Sequence, residues 1–270
     1  MSRHAFVDHR TRLLVFWTPK VGCTSLAHWF VLGALGKKKG FVRDTAYTGA
    51  REWLVGEGYS VDFEEAYDLA VHRGYDSCIV ARHPVARAIS AYIDKFVLHE
   101  GRPLDSRAAL QDFAAKEYDR WTRSWFRLLP SRYRGLSFVE FLTHINRAVV
   151  ARRAGREARL NHHWNAQVPF YFRERGFRYG TVFQLERFGD AIAWLNARYG
   201  VEVEMPRRFN ATTYGTESRA GLEAVSSLEL CRKPEWLTRE NFISPETLDL
   251  IERAYAIDYE YFGYNPRATA

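Results

Sequence analysis

The chain has 270 residues, enough for one large domain or two small ones, and its 47% apolar content is ordinary for a globular core. The net charge of +7 suits an anionic ligand, nucleic acid or an acidic membrane surface and does not choose among them. No apolar run approaches the ~20 residues of a membrane span, and the three scattered cysteines, Cys23, Cys78 and Cys231, show neither a disulfide framework nor a metal spacing.

The first ten residues, MSRHAFVDHR, lack the apolar centre of a signal peptide, so a cytoplasmic protein with no transmembrane segment is expected. Leu13 to Trp17 is a short continuous apolar run, which suits a strand buried on both faces. Thr18-Pro19 breaks it. Thr24 and Ser25 then open a largely apolar segment, Leu26 to Leu35, long enough for a helix. Between strand and helix lie Lys20 and Gly22. Free N–H groups at a helix start and the helix dipole favour negative charge, and a glycine lets backbone approach closely, so this stretch describes an anion site. The plainer alternative is an ordinary β-α turn with a surface lysine. Lys37-Lys38-Lys39-Gly40 reads first as a solvated helix end and only second as a binding patch.

Residues 41–75 carry weaker signals. Gly49, Gly56 and Gly58 punctuate them, and Asp62 to Val71 suits a short helix. Ser77 to Ala81 is a second buried-strand candidate, ended by Arg82-His83-Pro84, with proline well placed to open a helix. Helical spacing from Pro84 puts Arg87, Ser90, Ala91 and Asp94 on one face. Arg82 and Ser90 can converge on one anion, the arginine as a planar fork and the serine as a hydroxyl donor. The alternative is a surface arginine and an unrelated helical serine. Residues 100–160 read as helical and charged, with Phe138 to Val150 the clearest amphipathic segment. Arg152 to Arg159 reads as a solvated face or mobile loop before an acidic-acceptor contact.

Asn161-His162-His163-Trp164-Asn165-Ala166-Gln167 is a polar cluster around a tryptophan. Tyr179 to Leu185 suits a third strand, ending in Glu186-Arg187, and Ala191 to Tyr199 a helix closed by Gly200. Residues 206–221 form a polar loop. Ser244, Pro245 and Glu246 open the last helix, and the aromatic end DYEYFGYNP packs on the body. With no repeat and no linker, the expectation is one α/β domain over 1–270. Its sheet is central and mostly parallel, flanked by helices on both faces, with a P-loop-like strand-loop-helix and its ligand beyond the carboxyl ends of the strands.

PKVGCTSL and VARHPVARAISAYIDKF resemble the two cofactor motifs of sulfotransferases, closest to the carbohydrate sulfotransferases of the family-2 type. Arg82, Pro84, Arg87, Ser90, Ala91, Tyr92, Lys95 and Phe96 match the second motif position by position. Fainter echoes are His163-Trp164, the strand ending in Glu186, and Tyr255, Asp258, Phe262, Gly263 and Tyr264. The resemblance implies an enzyme that passes the sulfuryl group of 3′-phosphoadenosine 5′-phosphosulfate (PAPS) to a hydroxyl on a carbohydrate or glycolipid, leaving 3′-phosphoadenosine 5′-phosphate (PAP), without a metal. Carried over, Lys20, Val21, Gly22, Cys23, Thr24 and Ser25 hold the 5′-phosphosulfate, and Arg82 and Ser90 the 3′-phosphate. Asn210, in the loop Asn210 to Thr213, lies near the adenine. Lys20 is the catalytic cation at the leaving oxygen. For the general base the order is His163, then Glu52, then His72, and Cys23 is a small packing residue rather than a nucleophile.

Two other classes compete. A P-loop kinase or NTPase shares the strand-loop-helix, but a Walker loop places its lysine after the second glycine, and here Lys20 precedes Gly22. A non-enzymatic basic nucleic-acid binder fits the charge and the aromatic rings. The best-specified residues nevertheless fall in two compact loops, not an extended basic stripe, so no nucleic-acid partner is expected.

Overall fold

The computed structural model describes residues 5–37, 49–122, 133–204 and 215–266. Its contacts divide the chain into two compact units, 1–83 with 167–211, and 84–166 with 212–270. The strands, in chain order, are β1 (Ala5–Asp8), β2 (Leu13–Phe16), β3 (Ser60–Val61), β4 (Asp76–Ala81), β5 (Leu98–His99), β6 (Arg102–Pro103) and β7 (Thr181–Gln184). The helices that matter below are α1 (Cys23–Trp29), α2 (Gly49–Gly56), α3 (Phe63–Tyr67), α4 (Pro84–Tyr92) and α5 (Asp112–Thr122). They are followed by α6 (Phe138–Arg153), α7 (Phe170–Glu174), α8 (Phe188–Tyr199) and α9 (Pro245–Phe262).

The first unit is an α/β structure around a five-stranded mixed sheet in the order β3-β1-β2-β4-β7. β2, β4 and β7 are parallel, with Val15 beside Cys78 and Val80 beside Phe183. β1 runs against both its neighbours, so β3 points the same way as the parallel three. The chain reverses between β1 and β2 around Asp8. Its carboxylate accepts from the Arg10 N–H (3.0 Å), the Thr11 hydroxyl (2.8 Å) and the Tyr199 hydroxyl (2.9 Å). Burial pushes the Asp8 carboxyl up, but the bonds from Thr11, Tyr199 and Arg10 outweigh it and hold the group below the ordinary carboxylate range.

Strand alternation sorts the apolar residues onto two faces. Phe6, Leu13, Val15, Cys78 and Val80 pack with Leu26, Trp29, Phe30, Leu54, Ala191 and Leu195 from α1, the turn after it, α2 and α8. The Trp29 indole N–H donates to Asn196 Oδ1 at 2.8 Å, which ties α1 to α8. On the other face Phe16 packs on Tyr179 and Phe172, and Phe172 packs on Phe63, bringing in α3 and α7. Helices therefore cover both faces. α1, α3 and α4 each run on into a π-helical turn, Phe30–Ala34, Asp68–His72 and Ile93–Val97.

The second unit is mainly helical. α9 packs on α6 and α4, and Tyr92, Phe96, Phe138, Phe141, Trp164 and Phe242 form a continuous aromatic core. The Tyr92 hydroxyl donates to the Leu136 carbonyl at 2.8 Å. Ser137 with Glu140 and Ser244 with Thr247 form capping boxes that start α6 and α9. α6 extends to Arg153, beyond the apolar stripe. Arg152 is not simply solvated, because its guanidinium donates to the Ala158 carbonyl and to Asn165 Oδ1.

Candidate active site

Lys20 begins the candidate site. It follows the carboxyl end of β2 with a φ of 72°, the left-handed region that a non-glycine residue occupies only at a cost of about 1–3 kcal/mol. Arg82, which follows the carboxyl end of the neighbouring parallel strand β4, holds the turn. Its Nη1 donates to the Lys20 carbonyl at 3.1 Å. The sequence placed these two residues in separate anion loops, but the parallel pairing of β2 and β4 brings them together.

Arg82 is itself pinned by residues far along the chain. Fully buried Gln167 accepts the Arg82 N–H on Oε1 and donates from Nε2 to the Arg82 carbonyl, both at 2.9 Å. The side-chain amide thus pairs with that peptide as a neighbouring strand would. Glu186, just past β7, accepts the His83 N–H on Oε1 at 3.0 Å. Gln167 and Glu186 were visible in the sequence only as the end of a polar cluster and the end of a strand. A buried glutamine beside a strand end is the signal that could have marked the first.

Beyond Lys20 the loop narrows. Val21 is fully buried. Gly22 has a φ of 78°, which favours glycine, and a Cβ there would lie 3.2 Å from the Leu185 side chain, close enough that the leucine would have to give way by a few tenths of an ångström. The first N–H bonded inside α1 is that of Leu26, to the Gly22 carbonyl at 3.0 Å. The N–H groups of Cys23, Thr24 and Ser25 precede that bond as the donors a helix start leaves over. The Thr18 hydroxyl, at the entrance to the loop, is buried and without a hydrogen-bond partner among the described residues. Left-over donors, an orphaned hydroxyl and a lysine at one strand end form a donor-rich cradle that fits an anionic sulfate or phosphate group.

Of the remaining expected residues, Ser90 is buried on α4 in the second unit. Asn210 lies outside the described residues. Glu52 is exposed on α2, next to Arg51, whose guanidinium lies over the Trp17 ring. His72 is exposed and precedes the amino end of β4, whereas Lys20 and Arg82 follow carboxyl ends, so the topology counts against it as a base for a group held at Lys20.

His163, in the second unit, has the most defined chemistry of the three base candidates. Asn161 Oδ1 takes the His163 backbone N–H at 3.0 Å and lies 2.7 Å from the ring Nδ1. A backbone N–H only donates, so the facing Asn161 atom is oxygen and Nδ1 must carry the ring proton. The lone pair of the neutral imidazole is then on Nε2. The ring stacks on Phe113 at 4.7 Å and 4°. The segment is held from beneath. Buried Arg87 donates to the Asn165 and His162 carbonyls at 2.7 and 3.2 Å, and the Tyr255 hydroxyl to the Trp164 carbonyl at 2.9 Å. Arg87, a motif residue, therefore scaffolds the His-Trp segment.

Among the described residues no cluster of His, Cys, Asp and Glu could hold a metal ion, and no helix is long and apolar enough to cross a membrane. No curated protein and no solved structure matches the chain. The model of the sulfotransferase family matches residues 3–265, nearly the whole length and including both loops described above. On that match the chain belongs to the sulfotransferase family, enzymes that transfer sulfate.

Proposed function

We propose that this sulfotransferase uses PAPS as donor and a sugar hydroxyl, on a glycan or glycolipid, as acceptor. The observation that carries the reading is the loop Lys20–Ser25, whose lysine carbonyl is held by Arg82 and whose N–H donors are left over at the start of α1. PAPS supplies the sulfuryl group and leaves as PAP. The N–H groups of Val21 to Ser25 and the Thr24 and Ser25 hydroxyls bind the 5′-phosphosulfate end. The Lys20 ammonium stabilises charge growing on the leaving oxygen, a contribution of about 10²–10³ in rate for one fixed donor. Arg82 and Ser90 bind the 3′-phosphate, and Asn210, outside the described residues, is the candidate contact for the adenine. His163 Nε2 takes the proton of the acceptor hydroxyl, with Nδ1–H held by Asn161. Glu52 is the second candidate for that proton. The aromatic content of 15% supports a sugar acceptor, since rings stack on sugar faces. The three free cysteines support a reducing compartment, the cytoplasm. The family match over residues 3–265 supports one catalytic domain over 1–270.

Calorimetric titration with PAP in the presence of a chelator tests the donor assignment. Saturable binding is expected. Absence of heat and of any thermal shift at millimolar PAP would remove the basis of the proposal.

A further inference from the structure

The π-helical turn Ile93–Val97 carries Lys95, a motif residue that is only 6% exposed. Its ammonium lies 2.6 Å from Asp94 Oδ2 and 2.9 Å from Gln111 Oε1. The other Asp94 oxygen lies 3.1 Å from His99 Nδ1, and the Gln111 Nε2 amide lies 3.1 Å from His99 Nε2. The four side chains close a ring.

The chemistry of the groups fixes the direction of every bond. An ammonium only donates, so the Gln111 atom facing Lys95 is oxygen and the atom facing His99 is the NH₂ group. That group donates, so His99 Nε2 carries the lone pair. His99 Nδ1 then holds the proton and donates to Asp94. The ring closes only with neutral His99 in the Nδ1–H form, the minor tautomer of a free imidazole.

The ring leads toward His163. Gln111 immediately precedes α5, whose second residue is Phe113. The Lys95 ammonium lies 5.7 Å from the Phe113 ring centroid, within cation–π range, and Phe113 stacks flat on His163. Lys95 and Gln111 thus hold one side of the ring on which His163 rests, while Asn161 fixes its tautomer.

We propose that Lys95, Asp94, His99 and Gln111 are positioning residues that set the plane of His163 through Phe113. The assignment rests on the reading of His163 as the base. Displacement of a reacting group by about an ångström costs up to ~10²-fold in rate, so a partial loss of order should lower kcat by about tenfold.

Nitrogen-15 long-range spectra of the histidine side chains in the full chain, at mildly alkaline pH, are the test. Wild type should show His99 as Nδ1–H, and an Nε2–H signal would overturn the ring. Gln111→Leu should move the His163 ring resonances and lower kcat about tenfold while leaving PAP affinity unchanged. Unmoved His163 resonances, with the fold intact, would overturn the positioning role. His163→Ala separates the two claims. If its kcat matches wild type, the base reading fails, while the tautomer and the Gln111 spectra still decide the ring.

Discussion

At the scale of single residues, Arg82 joins an observed contact, with the Lys20 carbonyl, to a proposed one, with the donor. As a ligand of the 3′-phosphate it would affect donor affinity alone. Its Nη1 also holds the carbonyl of Lys20, a left-handed residue that needs external support. Arg82→Ala should therefore weaken PAP binding by about ten- to a hundredfold, the value of a charge-assisted hydrogen bond, and lower kcat at saturating donor as well. Arg82→Lys keeps a charge but not the fork that reaches two partners, so it should restore affinity better than turnover. Parallel measurement of PAP affinity and saturated turnover checks both. An Arg82→Ala enzyme with unchanged saturated turnover would show that the Lys20 carbonyl contact is not needed for chemistry.

At the scale of elements, the strand ends are set by side chains from other parts of the chain. Gln167 gives the Arg82 peptide both its partners in a fully buried position. Gln167→Leu leaves an N–H and a carbonyl unsatisfied at about 1–3 kcal/mol each, so urea unfolding should show a loss of about 2 kcal/mol or more. A change within error would mean that water replaces the amide. The β1–β2 reversal depends on ionised Asp8. Because its folded pKa lies below the unfolded value of about 3.9, its contribution is complete above that value and is lost as pH falls toward the folded pKa. Asp8→Asn should lower the urea midpoint at neutral pH, and the gap from wild type should narrow as pH drops below about 4. A gap independent of pH would assign the effect to geometry rather than charge.

The same elements show what was legible in the sequence. β2, β4 and β7 were readable because each is a compact apolar or mixed run bounded by breakers. β1 was not, because Ala5–Asp8 lies among charged and polar neighbours and its burial is set by β2 and β3 on either side. The short helix expected over Asp62 to Val71 is present as α3 and its π-helical turn, and the Asp62 carboxylate starts it by accepting from the Glu64 and Glu65 N–H groups. The π-helical turns were hidden because one extra residue per turn leaves local composition unchanged. In the site, Lys20 and Gly22 announced a tight loop. The Arg82–Lys20 bond and the Gln167 clasp join residues 62 and 85 positions apart, and only the sheet topology creates them.

At the scale of the whole molecule, the match to the sulfotransferase family covers residues 3–265, a range that includes the two loops and the His-Trp segment. A net charge of +7 favours anionic ligands in general. The central claim is that Lys20 acts on the transition state more than on binding. The loop N–H groups and hydroxyls hold the donor in the ground state, so removing one of several donors should cost affinity only moderately, whereas charge on the leaving oxygen grows during transfer. The direct measurement is single-turnover sulfuryl transfer by wild type and Lys20→Ala, with PAP affinity determined alongside. A rate loss of about 10²–10³ against a much smaller change in affinity is the predicted result. Equal losses of rate and affinity, or no loss of either, would contradict the account.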